Sequence, residues 1–280
     1  MRLVCQTPIA ILLATYNAEK YLKEQIDSLL LQTCQQWTLF IRDDGSTDAT
    51  QVIIDDYLSS YPNKIVQIDK GDPNLGCSGN FLRLLEVVDA TYYMFCDQDD
   101  IWLPEKISIC YKVIKEKEFQ YHSMPLLVHS DSLICDMNMK VIQNSIWGGK
   151  DVDKLSTYND IAVCNTVAGA TACFNNIAKR VSLQLYVEGS RLLYDHWIAM
   201  CVAKYGRIFF IQQSLRMYRQ HENQVLGLNK NDTILKKLYN LKSIVSHWLY
   251  DANILGFVGY RPICRYFFFK IVSIIKHRLA

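Results

Sequence analysis

Three carboxylates, Asp97, Asp99 and Asp100, crowd into four positions after the run Tyr-Tyr-Met-Phe-Cys at residues 92–96. Like charges this close repel, and a chain tolerates them best where solvent or a bound cation compensates. Asp97 and Asp99 are two positions apart, so both can turn toward one point where a strand opens into a loop. Hard oxygen ligands suit Mg2+ or Mn2+, and Mg2+ typically takes one or two carboxylates plus phosphate oxygens. The same residues also read as an acidic cap on a helix begun by Pro104, since Asp favours the cap and Pro the first turn. On these residues alone both readings stand.

Other stretches carry related chemistry. Thr15-Tyr16-Asn17 breaks one apolar run and Asp43-Asp44-Gly45-Ser46 ends another. A strand-end aspartate can accept the ring N–H of a pyrimidine, or simply belong to a Gly turn that caps a helix. Tyr194-Asp195-His196-Trp197 sets a carboxylate among aromatic neighbours, which raise its proton affinity and suit it to general-base work. The alternative is a helix start with Asp195 at the positive end of the dipole. His221, amid Arg219, Gln220, Glu222 and Asn223, reads as a hydrogen-bonded structural residue or as a further metal ligand. No G-x-x-x-x-G-K-[ST], G-x-G-x-x-G or G-x-S-x-G occurs, which disfavours P-loop, Rossmann and α/β-hydrolase chemistry.

These positions need elements to hold them. Residues 9–14 are a continuous apolar run of strand length, as expected where both faces of a parallel sheet are covered. Tyr21, Leu22, Ile26, Leu29 and Leu30 then recur at helical spacing. A strand at 37–42, a helix carrying Val52, Ile53, Ile54 and Tyr57, a strand at 65–68 and a helix over 81–88 lead into the strand at 92. This alternation predicts an open, mostly parallel α/β sheet flanked by helices. Open α/β sheets bind ligands beyond the carboxyl ends of their strands, and the polar clusters lie at such ends. The second half is less regular. A strand at 126–129 ends in Ser130-Asp131-Ser132, and residues 144–160 read as loop. Residues 165–174 read as a strand or turn in which Gly169 lets the backbone approach a ligand. A helix over 192–203 and a strand at 208–211 complete the pattern.

Half of the 280 residues are hydrophobic and 21% are charged, so a sizeable core is expected. Residues 230–280 hold nine Lys/Arg against two acids, whereas the first 229 carry 21 Lys/Arg against 26 acids. That asymmetry divides the chain into a domain over 1–229 and a basic, amphipathic helical tail over 230–280. Trp248, Leu249, Leu255, Phe257 and Phe267-Phe268-Phe269 alternate there with Lys and Arg. Such a tail either lies on an anionic membrane face or packs back on the domain. The ten cysteines lack C-x-x-C spacing, which points to reduced thiols rather than zinc or a disulfide scaffold. The apolar start reads as a buried strand rather than a signal peptide, and no eighteen-residue apolar run spans a membrane. The sequon at Asn231 is then accidental.

In combination these blocks resemble the family 2 glycosyltransferases, especially the rhamnosyltransferase-like bacterial members. The matching blocks are Ala14-Thr-Tyr-Asn17 with Glu24-Gln25 and Gln32-Thr33; Asp43-Asp-Gly-Ser-Thr-Asp48; Asn74-x-Gly76 with Asn80-Phe81; and Phe95-x-Asp97-Gln-Asp-Asp-Ile-Trp102. They continue with Gly169-x-Thr171, Tyr194-Asp-His-Trp197 and Tyr218-Arg-Gln-His221 through Gly227. The resemblance covers residues 8–227 and implies the GT-A fold, a nucleotide diphosphate sugar donor and Mg2+ or Mn2+. It assigns Thr15, Tyr16 and Asp44 to the nucleotide with Asn80 nearby, Asp97 to the ribose or metal, Asp99 to the metal, and His221 to the metal or diphosphate. Asp195 becomes the catalytic base of an inverting transfer. Trp102, Gly169 and Trp197 are expected to touch the acceptor, a glycan or glycolipid of a growing, lipid-linked surface polysaccharide. Rhamnose or another hexose is the expected sugar. The expected location is cytoplasmic, with peripheral contact on the inner face of the cell membrane and no nucleic-acid partner. A sugar nucleotidyltransferase would show a Gly-rich, Arg-containing loop where Ala14-Thr-Tyr-Asn17 stands. A catalytically silent partner subunit is the non-enzymatic alternative, which the intact Asp97, Asp99, Asp195 and His221 argue against.

Overall fold

The computed structural model describes residues 3–71, 73–186, 192–221, 256, 260 and 263–279. The chain runs β1 (Leu3–Val4), β2 (Ile9–Thr15), α1 (Leu22–Leu30), β3 (Trp37–Asp43), α2 (Thr50–Ser60), β4 (Ile65–Gln67), α3 (Gly76–Val87), β5 (Val88–Asp89) and β6 (Tyr92–Cys96). It continues β7 (Ile101–Trp102), α4 (Lys106–Gln120), β8 (Leu126–Cys135), β9 (Val141–Gln143), α5 (Tyr158–Val163), β10 (Ala172–Asn175), α6 (Asn176–Leu185), α7 (Tyr194–Tyr205), β11 (Arg207–Arg219) and α8 (Ile263–Leu279).

The central sheet is ordered β4-β3-β2-β6-β10-β8-β11-β7, with β9 added on β8. From β4 to β6 every pairing is parallel. Then β10 runs antiparallel to both β6 and β8, while β8 and β11 are parallel. The expected parallel sheet therefore holds for the first half and becomes mixed in the second. The reversal has a use. Because β10 is inverted, its beginning lies at the edge where β6 ends, and the 3-10 turn Gly169–Thr171 that precedes it is delivered there.

The continuous apolar strands are explained by burial on both faces. In β2, Ala10 and Leu12 face one core, with α3, α7 and Phe95 of β6, whereas Ile9, Ile11 and Leu13 face the other, with Leu22 of α1 and Ile107 of α4. Each Leu or Ile among them, fully withdrawn from water, contributes about 1.5–3 kcal/mol. Tyr260 and Tyr266 join the first core, so part of the tail packs on the domain. Most of its cationic stretch, including Trp248, Leu249, Leu255 and Phe257, lies outside the described residues.

Three expectations change. β8 does not stop before Ser130-Asp131-Ser132 but runs through it, because these buried polar groups find partners. Asp131 accepts from the Ser132 and Ile146 N–H groups, and the Ser132 hydroxyl accepts from Arg216 Nε at 2.8 Å. The facing strand β11, thirteen residues instead of four, keeps pace through two register shifts. The loop expected over 144–160 contains a 3-10 turn at Val152–Leu155 and the start of α5, whose Thr157 cap accepts from Asp160 N. Helix α6 had not been expected, although Asn175 caps it through Ala178 N at 3.0 Å, an ordinary helix-start signal.

Gly206 joins α7 to β11. A Cβ there would lie 1.8 Å from the Pro125 carbonyl oxygen, which is backbone and accepts from Arg207 N. Neither partner can retreat without breaking the start of the β8–β11 pairing. Gly206→Ala should therefore lower stability by about 2 kcal/mol or more, read as an earlier denaturation midpoint with unchanged slope; an unchanged midpoint would refute this packing.

Candidate active site

The first cluster forms where β2 and β3 end. Asn17 turns the chain with φ +48°, a conformation Asn tolerates, and its Oδ1 accepts from Thr47 N at 2.9 Å. Thr15 Oγ1 donates to Asp43 Oδ1 at 2.8 Å, and Asp43 Oδ2 accepts from Ser46 N at 2.8 Å. Tyr16 presents its ring, 49% exposed. Asp44 and Asn80, expected to meet the nucleotide directly, are each 2% exposed and lie beneath this surface. Arg42 Nη1 donates to Asp44 Oδ1 (2.7 Å) and Asn80 Oδ1 (3.2 Å), while Leu75 N and Gly76 N donate to the two Asp44 oxygens at 2.8 Å. Asp44 thus anchors the start of α3, where Gly76 takes φ +70°.

The second cluster is the loop after β6. Gln98, between the two aspartates of D-x-D, accepts from Tyr16 N at 2.7 Å and returns a bond to Tyr16 O at 3.1 Å. That couples the loop to the end of β2. Asp97 is half-buried, with Oδ2 3.5 Å from Arg216 Nη1 and Oδ1 accepting from the Tyr194 hydroxyl at 3.4 Å. Burial, reinforced by Asp100, pushes its carboxyl up to about 7 against the pull of Arg216. Asp100 points away from the opening and pairs with Arg216 Nη1 at 2.5 Å, both groups buried. Asp99 Oδ2 lies 2.9 Å from His221 Nε2. Arg219 closes the loop from behind, donating to the Asp99 carbonyl at 2.9 Å and to Glu24. Its guanidinium and the His221 ring both lie against Tyr21.

The third element is the start of α7. Asp195 Oδ2 accepts from Gly169 N at 3.0 Å and Oδ1 from His196 N at 2.6 Å. Burial nevertheless pushes its carboxyl up to about 6, the two N–H groups and Arg216 opposing the rise. Tyr194 stacks on Phe81 at 4.0 Å between ring centroids, which ties α7 to α3. Cys77, on the first turn of α3, reports the convergence of all three clusters. Its side chain stays exposed at the surface, and the surrounding protein together with Asp97, Asp195, Asp44 and Asp99 pushes the thiol pKa up.

The residues expected at the acceptor are placed otherwise. Trp102 and Trp197 are each 2% exposed: Trp102 belongs to one core, and Trp197 to the other, with its indole N–H on Ser182 O at 2.9 Å. Beside an acid, an aromatic core residue and an aromatic platform look alike in sequence. Gly169 is buried as well, and its missing side chain makes room for Tyr194, whose hydroxyl would lie 2.3 Å from a Cβ. Gln98, Lys106 and Arg216 were missed. For Gln98 and Lys106 the signal was their place inside or just after the acidic run.

Among the described residues no three His, Cys, Asp or Glu side chains form a metal-holding group by themselves. Asp99 and His221 form a pair. A pair fits Mg2+ or Mn2+ held jointly with phosphate oxygens and water, as such ions ordinarily are beside nucleotides.

Residues 10–134 match the family described as Glycosyl transferase family 2. The chain is 28% identical over 230 residues to the dTDP-rhamnosyl transferase RfbG of Shigella flexneri, covering 78% of this chain and 74% of that protein. It is 27% identical over 216 residues to an uncharacterized glycosyltransferase of Nostoc, covering 76% of this chain. It spans 65% of the Nostoc protein's length and 60% of an uncharacterized relative from Mycobacterium tuberculosis. Among solved structures, S. aureus TarS in complex with UDP-GlcNAc has TM-score 0.55 at 20% identity, covering 88% of this chain and 70% of that one. The mannosyltransferase PcManGT from Pyrobaculum calidifontis, in complex with GDP-Man and Mn2+, has TM-score 0.56 at 12% identity, covering 98% and 76%. With aspartates gathered at the carboxyl edge of such a sheet, the chain carries the GT-A fold, and it is similar to the family 2 glycosyltransferases over residues 10–134 and to a rhamnosyl transferase over a longer stretch.

Proposed function

We propose that the chain transfers a hexose, with inversion, from a nucleotide diphosphate donor to a hydroxyl of a lipid-linked glycan. The observation that supports this most directly is Asp195. A carboxyl raised to about 6 by burial, yet steered by two backbone N–H groups, is poised to take a proton near neutral pH. Tyr194 ties it to Asp97 and hence to the D-x-D loop.

In this reading the nucleoside lies against the exposed ring of Tyr16, on a floor held by Thr15, Asp43, Asp44, Arg42 and Asn80. Asp97 faces the donor ribose or diphosphate. Asp99 and His221 would hold Mg2+ or Mn2+, which when bound supplies Lewis-acid stabilisation of charge on the leaving diphosphate. Asp195 takes the acceptor hydroxyl proton as that oxygen attacks the anomeric carbon. The bond to the diphosphate oxygen breaks on the opposite face, so one displacement inverts the configuration and needs no covalent enzyme intermediate. A rhamnosyl donor is favoured by the similarity to RfbG.

The described part of the tail supports peripheral membrane contact. Among the described residues no helix is long and apolar enough to cross a bilayer. Helix α8 buries Tyr266 but leaves Phe268 61% and Ile271 52% exposed, with Arg265 exposed on the same helix. Apolar and cationic groups on one solvent-facing helix suit an anionic lipid surface.

Asp195→Asn should abolish transfer, a loss of at least about 100-fold, while donor binding persists; wild-type turnover by the purified variant would remove the base assignment. The base works only as carboxylate, and its pKa lies near 6. kcat/KM for the acceptor should therefore fall about tenfold per pH unit below 6, and a profile flat to pH 5 would contradict it. Asp99→Ala should weaken binding of the nucleoside diphosphate in Mg2+ or Mn2+ but not in chelator, measured by calorimetry; equal affinity in metal would sink that role. Replacing both Phe268 and Ile271 by Glu should abolish flotation with anionic liposomes, and flotation equal to the parent would exclude α8 as the contact.

A further inference from the structure

Lys106 opens α4, nine positions beyond Asp97, and is fully buried. Its ammonium sits 3.5 Å from the centroid of the Trp102 ring, and Nζ donates to the carbonyl oxygen of Ala170. Around it are Arg216 of β11, Asp100 before β7, Cys96 of β6 and Cys110 of α4; burial and Arg216 bring its pKa down to about 7. An ammonium taken this far from water is destabilising unless its bonds compensate. Packing alone would favour an apolar residue beside a tryptophan, so the bond to Ala170 gives the position its purpose.

Ala170 is the middle residue of the 3-10 turn Gly169–Thr171. Within that turn Thr171 bonds back to the Ala168 carbonyl through both its N–H and its hydroxyl. The preceding N–H, that of Gly169, donates to Asp195 Oδ2 at 3.0 Å. One short segment is thus gripped from below by Lys106 and grips the carboxylate above. We propose that Lys106 is a positioning residue for the general base, clamping the Ala170 carbonyl so that the Gly169 N–H stays aimed at Asp195. The inference rests on Asp195 being that base. It also gives Trp102 a role, as the aromatic wall against which the ammonium is set.

A carboxylate that loses an N–H donor gains proton affinity. The groups facing Asp195 from neighbouring elements are the Gly169 and His196 N–H groups, Arg216 of β11, Asp97 beyond β6, and Tyr194 and Cys77. Only the Gly169 bond runs through the segment Lys106 holds.

The test compares the full chain with Lys106→Met and Lys106→Arg, measuring kcat, donor KM and the acid limb of the pH–rate profile. Lys106→Met should lower kcat by about tenfold, leave donor KM within about twofold, and move the acid limb upward by about one pH unit. Lys106→Arg, which keeps a donor for Ala170, should hold the limb at its parent position. A folded Lys106→Met with an unmoved limb would overturn the proposal. Should Lys106→Met melt below the assay temperature, Lys106→Arg decides, because a displaced limb there would overturn it equally. Turnover retained by Asp195→Asn would remove the base reading itself, whereas an inactive Asp195→Asn with an unmoved limb in Lys106→Met would remove only the clamp.

Discussion

The arrangement depends on a single buried guanidinium. Arg216 is 3% exposed and faces Asp100 directly and Asp97 at longer range, with Ser132 satisfying its Nε. Arg216 offsets the mutual repulsion of three aspartates in four positions, above all at buried Asp100, because each desolvated carboxylate raises the proton affinity of the next. A cation placed among them by the fold lets the loop keep its shape before any ligand arrives. The partner comes from 116 residues further along the chain, so the D-x-D loop acquires its final form only when β11 has paired with β8 and β7. Removing one member of such a pair leaves an uncompensated buried charge, which is why the site and the stability of the sheet are linked here.

Much of the first half was legible because the physics is local. Strands covered on both faces are largely apolar, so β2, β3 and β6 announced themselves, and polar residues at their ends marked the working edge of the sheet. Asp195 was legible as a carboxylate among aromatics at the start of a helix, where the base reading and the helix-start reading stood side by side. The hidden part was decided by distant packing. Arg216 sits inside a thirteen-residue strand whose burial does not alternate, and nothing nearby in sequence marks it as buried. Trp102 and Trp197 look like platforms for a sugar, yet their burial depends on helices that arrive from elsewhere. Asp44 shows the same limit in another form. Its position at a strand end was clear, but its bonds to Leu75 and Gly76 could be seen only once α3 was in place.

The two sides of the site are also built differently. Thr15, Tyr16, Asp44, Asn80, Asp97 and Asp99 all fall within residues 10–134, the stretch matched to the family, and are set by β2, by α3 and by the loops that follow the strands. Asp195, Arg216 and His221 come from beyond it. The aspartates of the D-x-D loop therefore follow directly from central strand β6, whereas the aspartate of α7 is oriented by a backbone turn and by aromatic packing of Tyr194 on Phe81.

The inverted strand β10 has a consequence for how such a protein can diverge. A parallel strand brings its exit to the working edge, so altering the residues just beyond that exit also disturbs the helix packed behind. β10 brings its entrance instead, and the chain that leads into it, from the end of β8 to Gly169, crosses the edge before the strand is committed. The pairing of Cys173 with Met94 and Val128 begins only after that approach, whose residues 137–143 are largely exposed while Ile161, Ala162 and Val163 sit in the core. The sheet thereby supplies a place where the surroundings of Asp195 can be rewritten, with the aspartates of the neighbouring strands left untouched.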